Sequence, residues 1–129
     1  MAYAGIGATA DGGSTYLLPR IVGSARAMEL YLSNQPTSAQ RALELGLVNQ
    51  VFPAEELDRS ALELASRLAQ GPTVAYGQVK AMFDNSWDAS LATQLDAETG
   101  SISGITQTAD FQEGIEAFTE KRSPRFQGG

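Results

Sequence analysis

Asp11 is the residue of this sequence with the clearest chemical potential. It is a lone carboxylate in a run of small residues, immediately before Gly12, Gly13 and Ser14. A carboxylate at the approach to a helix can be held ionised by backbone N–H groups and by the helix dipole. Ionised and oriented, it could serve as a base or as a nucleophile. The alternative is a plain N-cap, a common use of Asp before a helix. Gly12, Gly13 and Ser14 could present N–H groups to an anion, or could simply form a tight turn. Their spacing fits neither a P-loop nor a dinucleotide fingerprint. Phe118 and Lys121, three apart, are expected to share one face of the last helix. A ring and a cation could there stack on adenine and pair with a phosphate. The alternative is a core Phe and a solvated Lys near a helix C-terminus.

The surrounding pattern is mostly helical. Residues 1–13 read as a glycine-rich loop or short strand that runs into a helix. Ser14 to Val22, with Pro19 inside, predicts a short or kinked helix ending at Gly23. Ser24 is expected to cap the next helix, with Ala25, Met28, Tyr31 and Leu32 at amphipathic spacing and Asn34 as its stop. Thr37 or Ser38 should cap a third helix, and Gly46 should close it. LVNQVF (47–52) alternates apolar and polar residues and predicts the one clear strand. Residues 54–70 carry a helical stripe of Leu57, Ala61, Leu64, Ala65 and Leu68, with Glu55, Glu56 and Arg67 matched to the macrodipole. Helices over 73–87 and 110–122 follow, with a weaker one over 89–107, loosened by Gly100 and Gly104. The sum is one or two short strands and six or seven helices. The chain opens inside its most functional-looking stretch, which suggests the second half of something larger.

Composition narrows the chemistry further. The 129 residues include no Cys and no His. Disulfides, thiol nucleophiles, imidazole catalysis and the commonest metal ligands are therefore excluded, and no metal site is expected. Nine basic against fifteen acidic residues give a net charge of −6, which argues against non-specific nucleic-acid binding. No apolar run is long enough to span a membrane. No secretory signal is visible, so a reducing cytoplasm is the expected compartment. Charged residues make up only 19%. With so many amphipathic helices, this implies apolar faces that a small monomer would not cover, hence self-association.

Three segments together resemble the enoyl-CoA hydratase/isomerase (crotonase) family. GIGATADGGSTYLLPRIVG (5–23) is similar to the family's glycine-rich loop and L-P-R-[LI]-V-G helix. Residues 24–57, SARAMELYLSNQPTSAQRALELGLVNQVFPAEEL, are similar to its A-R-A-x-E-L and G-L-V-x-x-V-x-P segment. TADFQEGIEAFTEKRSPRFQG (108–128) is similar to its T-x-D-x-x-E-G-x-x-A-F-x-E-K-R-x-P-x-F ending. The resemblance covers essentially the whole chain, in order and with matching spacing.

The resemblance implies the second half of an α/β crotonase-like spiral fold. Residues 1–23 would form the active-site loop and following helix. Residues 24–70 would be the remainder of the core region, and residues 71–129 a helical oligomerisation region. Members run to roughly twice this length. Their other half holds most of the spiral, most of the CoA pocket and the oxyanion hole, whose donors are each worth about 10²–10³ in rate. The isolated chain is therefore expected to be inactive. Asp11 aligns with the aspartate of some family isomerases and of the 4-chlorobenzoyl-CoA dehalogenases, although Ala10 replaces the usual Pro before it. Tyr3 stands where hydratases keep a second catalytic glutamate, so isomerase-like chemistry is expected over hydration, with Tyr3, Gly12 and Gly13 lining the substrate pocket. Phe118 and Lys121 align with residues that approach the CoA nucleotide, often of a neighbouring subunit. The implied partners are an acyl-CoA thioester and copies of the chain in a trimer or hexamer. No cofactor is bound permanently, since coenzyme A arrives as part of the substrate. The competing expectation is a non-catalytic helical self-association module.

Overall fold

A computed structural model describes residues 3–129. A 3₁₀ turn at Tyr3–Ile6 precedes seven helices: α1 (Ser14–Val22), α2 (Ser24–Ser33), α3 (Ala39–Glu44), α4 (Ala54–Ala69), α5 (Thr73–Ser86), α6 (Leu91–Ile105) and α7 (Ala109–Glu120). The mostly helical reading holds. The chain divides into two compact units, Met1–Leu57 and Asp58–Gly129, with the division inside α4.

In the first unit, α1 and α2 pack against each other. Gly13 adopts φ 76° as the N-cap of α1, a conformation costly for any residue with a Cβ. Pro19 sits inside α1 without ending it, and Arg20 lies 3.4 Å above the Tyr16 ring while donating to the Tyr16 carbonyl at 2.9 Å. The expected Ser24 cap is not found. Gly23 is the N-cap of α2 and offers no side chain, and Ser24 is already helical. One glycine serves both helix ends, which leaves no extended residue for a serine to occupy. Asn34 stops α2 in the left-handed region, as expected. Ser38 caps α3 by accepting the Arg41 N–H at 3.1 Å. Gly46 (φ 72°) closes α3 with a paired 6→1 and 5→2 bonding pattern, Leu47 N–H to Ala42 and Gly46 N–H to Leu43.

The strand expected at 47–52 does not form. This segment is irregular, and no strand occurs among the described residues. Alternation makes a segment competent to pair, but a strand exists only with a ladder partner.

In the second unit, α5 and α6 pack together. Ser90 caps α6 by accepting the Thr93 N–H at 3.1 Å. Gly100 and Gly104 do not break α6, which runs unbroken through both. Thr108 caps α7 through the Phe111 N–H at 3.1 Å.

Very little of this is a conventional core. Among the described residues only Val22, Leu45 and Ala117 are buried hydrophobics, while Ile6, Leu62, Leu91 and Phe118 are at least 70% exposed. The accessible surface is 9671 Å². Two separate compact bodies sharing this mass would expose about 8,000 Å². The helices carry their apolar stripes, but the chain leaves much of that surface uncovered.

Candidate active site

The loop before α1 brings Tyr3 and Asp11 together. Gly7, at φ 70°, reverses the chain after the 3₁₀ turn, with Ala8 N–H bonded to the Tyr3 carbonyl at 2.9 Å. Tyr31 of α2 donates to the Ala8 carbonyl at 2.7 Å and ties the loop down. The Tyr3 hydroxyl then donates to Asp11 Oδ1 at 2.5 Å. This bond and the adjacent carboxylate charge push the Tyr3 phenol above its ordinary value of 10.0. The phenol thus stays protonated as a donor throughout the neutral range.

The N-cap alternative for Asp11 fails on geometry. The residue capping α1 is Gly13, with no side-chain bond. Asp11 contributes its backbone carbonyl, which accepts from Ser14 N–H at 3.1 Å and Ser14 Oγ at 2.7 Å. Its carboxylate is left for Tyr3 at Oδ1, and Oδ2 has no partner among the described residues. One oxygen is anchored and one is open, an arrangement suited to proton transfer or attack.

Gly12 and Gly13 have φ of 60° and 76°, and a Cβ on either would meet no atom within 4 Å. They are required for the turn, not for a close approach. The Ser14 N–H is engaged by the Asp11 carbonyl at 3.1 Å, which closes the turn into α1. Beside this loop, an open apolar groove of about 500 Å³ runs between α1 and α2, lined by Ala10, Ser14, Leu18, Met28, Tyr31 and Leu32 among others.

Phe118 and Lys121 lie in the second unit, and the geometric premise for them needs correction. Lys121 is not on the face of α7. It is left-handed (φ 55°), its N–H reaches the Phe118 carbonyl, and the Arg122 N–H reaches Ala117. This is the helix-closing motif usually built on glycine, so helical spacing does not extend to Lys121. Phe118 remains on α7, 84% exposed.

The sequence reading missed a second cluster. Asp110, only 4% exposed, accepts the Gln127 N–H at 2.6 Å and the Gly128 N–H at 2.9 Å. Its own N–H donates to the Gly129 carbonyl at 2.8 Å. Glu113 accepts both Arg122 Nη1 (2.5 Å) and Nη2 (2.9 Å), and also the Arg125 N–H at 2.7 Å. These bonds hold the Glu113 carboxyl down to about 2, against an ordinary 4.5, and hold the Arg122 guanidinium up. The available signal was two carboxylates three apart on one helix face, followed by two arginines in the tail.

The enoyl-CoA hydratase/isomerase family profile matches residues 1–129. The 1,2-epoxyphenylacetyl-CoA isomerase of Escherichia coli K12 is 41% identical over 99% of this chain and 49% of its own length. The 2,3-dehydroadipyl-CoA hydratase of the same organism is 35% identical over 95% of this chain and 48% of its length. The crystal structure of an enoyl-CoA hydratase/isomerase from Cupriavidus metallidurans CH34 superposes with a TM-score of 0.92 at 38% identity, over 99% of this chain and 48% of that one. The chain spans about half the length of the curated relatives it matches, corresponding to their carboxy-terminal half. A helical chain whose loop, helices and tail all coincide with that half belongs to the enoyl-CoA hydratase/isomerase family.

Proposed function

We propose that these residues form the carboxy-terminal part of an isomerase acting on acyl-CoA thioesters, with Asp11 as its proton-transferring base. The observation that carries this reading is the Asp11 carboxylate, which caps no helix and is held by Tyr3 through one oxygen while the other stays open. Asp11 takes a proton from a carbon made acidic by the thioester, and the C–H electron pair moves into the thioester as an enolate. The protonated Asp11 then returns the proton at the far carbon of the allylic system. Tyr3 supplies an aromatic wall and a hydroxyl but no second carboxylate, which argues against hydration, where one group activates water and another delivers the proton. The apolar groove beside the loop suits an acyl chain. Donors for the enolate oxygen come, on this reading, from the half of the family's length outside these 129 residues.

The experiment joins the amino-terminal half of the E. coli isomerase to this chain and follows acyl-CoA isomerisation. Asp11→Asn preserves shape and removes charge. It should lower kcat by about 10²–10⁴ while CoA binding stays unchanged. Full turnover in a folded, CoA-binding Asn variant would refute the assignment.

The uncovered apolar surface favours a second property, self-association of the chain. Sedimentation at tens of micromolar should give a species larger than 13.7 kDa, and a compact monomer would exclude it.

A further inference from the structure

The loop that carries Tyr3 and Asp11 has no core of its own to rest on. None of residues 3–13 is buried, and Ile6 is 81% exposed. Gly7, Gly12 and Gly13 all take positive φ, and glycine is the residue with the most backbone freedom to lose on ordering. Apolar packing therefore does little to fix this stretch, and hydrogen bonds must. Several of these are local: Gly7 N–H to the Ala4 carbonyl, Ala8 N–H to Tyr3 and Ser14 N–H to Asp11.

Tyr31 reaches the loop from elsewhere. It stands on the last turn of α2, 23 residues along the chain from Ala8, and its hydroxyl donates to the Ala8 carbonyl at 2.7 Å. Ala8 is thus held on both sides, its N–H by the Tyr3 carbonyl at 2.9 Å and its carbonyl by Tyr31. Tyr3 lies before this clamp and Asp11 after it, and the Tyr3 hydroxyl closes onto Asp11 Oδ1. A second contact comes from the same end of α2. A Cβ on Gly5 would stand 2.8 Å from Asn34 Nδ2, closer than such atoms approach, so the loop backbone lies directly against the α2 terminus. The Tyr31 ring also forms part of the wall of the groove between α1 and α2. That wall needs the ring and not the hydroxyl.

We infer that Tyr31 is a positioning residue, whose hydroxyl, through the Ala8 carbonyl, holds the loop in the conformation that brings Tyr3 onto Asp11. Tyr31 touches no reacting atom. It acts through Ala8 on Tyr3, and through Tyr3 on the Asp11 carboxylate. The catalytic consequence rests on the isomerase reading proposed above, whereas the effect on the Tyr3–Asp11 contact stands without it.

The test is Tyr31→Phe, which removes one oxygen and keeps both the ring and the groove wall. In the fused enzyme kcat should fall about three- to tenfold, as for one lost neutral hydrogen bond, while KM holds. In the Tyr3→Phe background the same change should cost at most about twofold, because the bond it serves is already gone. The 129-residue chain supplies an independent readout. NMR of ring-labelled tyrosines follows each phenol separately, and Asp11→Asn should draw the Tyr3 transition down toward 10.0. In the Tyr31→Phe background that movement should shrink by at least about half. Comparing the two movements cancels the direct effect of the Tyr31 charge on Tyr3.

A Tyr31 that served only stability would lower the thermal midpoint and leave kcat and the Tyr3 movement intact, and that result overturns the inference. An equal fall in kcat with and without the Tyr3 hydroxyl overturns it too, as does an undiminished Tyr3 movement. If Asp11→Asn abolishes turnover while Tyr31→Phe leaves kcat unchanged, this inference fails and the isomerase reading stands. If the Asp11→Asn enzyme turns over fully, the isomerase reading fails, and the Tyr3 movement in the chain still decides for or against Tyr31.

Discussion

Replacing Asp110 tests the tail strap most directly. Each Asp110 oxygen accepts one backbone N–H, Oδ1 from Gln127 and Oδ2 from Gly128. Asn keeps one acceptor but turns an NH₂ group toward the other N–H, so one bond is lost and two donors face each other. Ala loses both bonds and leaves Gln127 and Gly128 N–H without this acceptor. Hydrogen bonds to charged groups contribute roughly 1.5–3 kcal/mol each. Opening of the strap should therefore become about 3–5 kcal/mol easier for Asp110→Ala, and about 2–3 for Asp110→Asn. The strap can detach before the helices melt, so global unfolding need not register the full amount. The direct assay is native-state hydrogen exchange of the Gln127 and Gly128 amides. In the Ala variant both should exchange at least about 10²-fold faster, since about 1.4 kcal/mol is a factor of ten. Limited carboxypeptidase digestion should shorten the variant from its terminus and spare the parent. Unchanged exchange at both amides, with the protein folded, would refute the strap.

Two further outcomes follow from the charged pairs. The Tyr3 phenol is raised by Asp11, so the bond between them contributes fully below the ordinary value of 10.0 and is lost as pH climbs through the folded value; Asp11→Asn should bring the phenolate absorbance transition back toward 10.0, and an unmoved transition would deny the contact. Glu113 is lowered to about 2, so its hold on Arg122 and Arg125 is complete above 4.5 and fades as pH falls from there toward about 2; tail amide exchange should accelerate across that window in the parent and not in Glu113→Gln. In the fused enzyme, Tyr3→Phe keeps the ring and removes the donor, so kcat should fall while KM holds, and equal kcat would show that Asp11 needs no orienting phenol.

Local signals in the sequence determined the helices and their ends. Ser38 caps where a short side-chain oxygen can reach an orphan N–H, and Gly46 closes α3 where a positive φ is required. These depend on neighbours within a turn, so spacing alone reveals them. Ser24 failed because Gly23 ends one helix and begins the next, a competition visible only once both helices exist. The strand at 47–52 failed because strandness is a property of a pair, and alternation in one segment says nothing about its partner.

The site divided the same way. Asp11 was legible as a chemical group, because a lone carboxylate before Gly-Gly stands out. Its role was not, since N-cap and base are the same residue type at the same place. The cap was set aside by the Gly7 reversal, which returns Tyr3 to Asp11 across eight residues and leaves Gly13 to cap the helix. Lys121 shows the converse. Its spacing from Phe118 promised a shared helical face, but the helix ends one residue earlier, where Arg122 is drawn back to Glu113. Hydrogen bonds between distant residues have no signature in periodicity, so only the tertiary structure could place that cation.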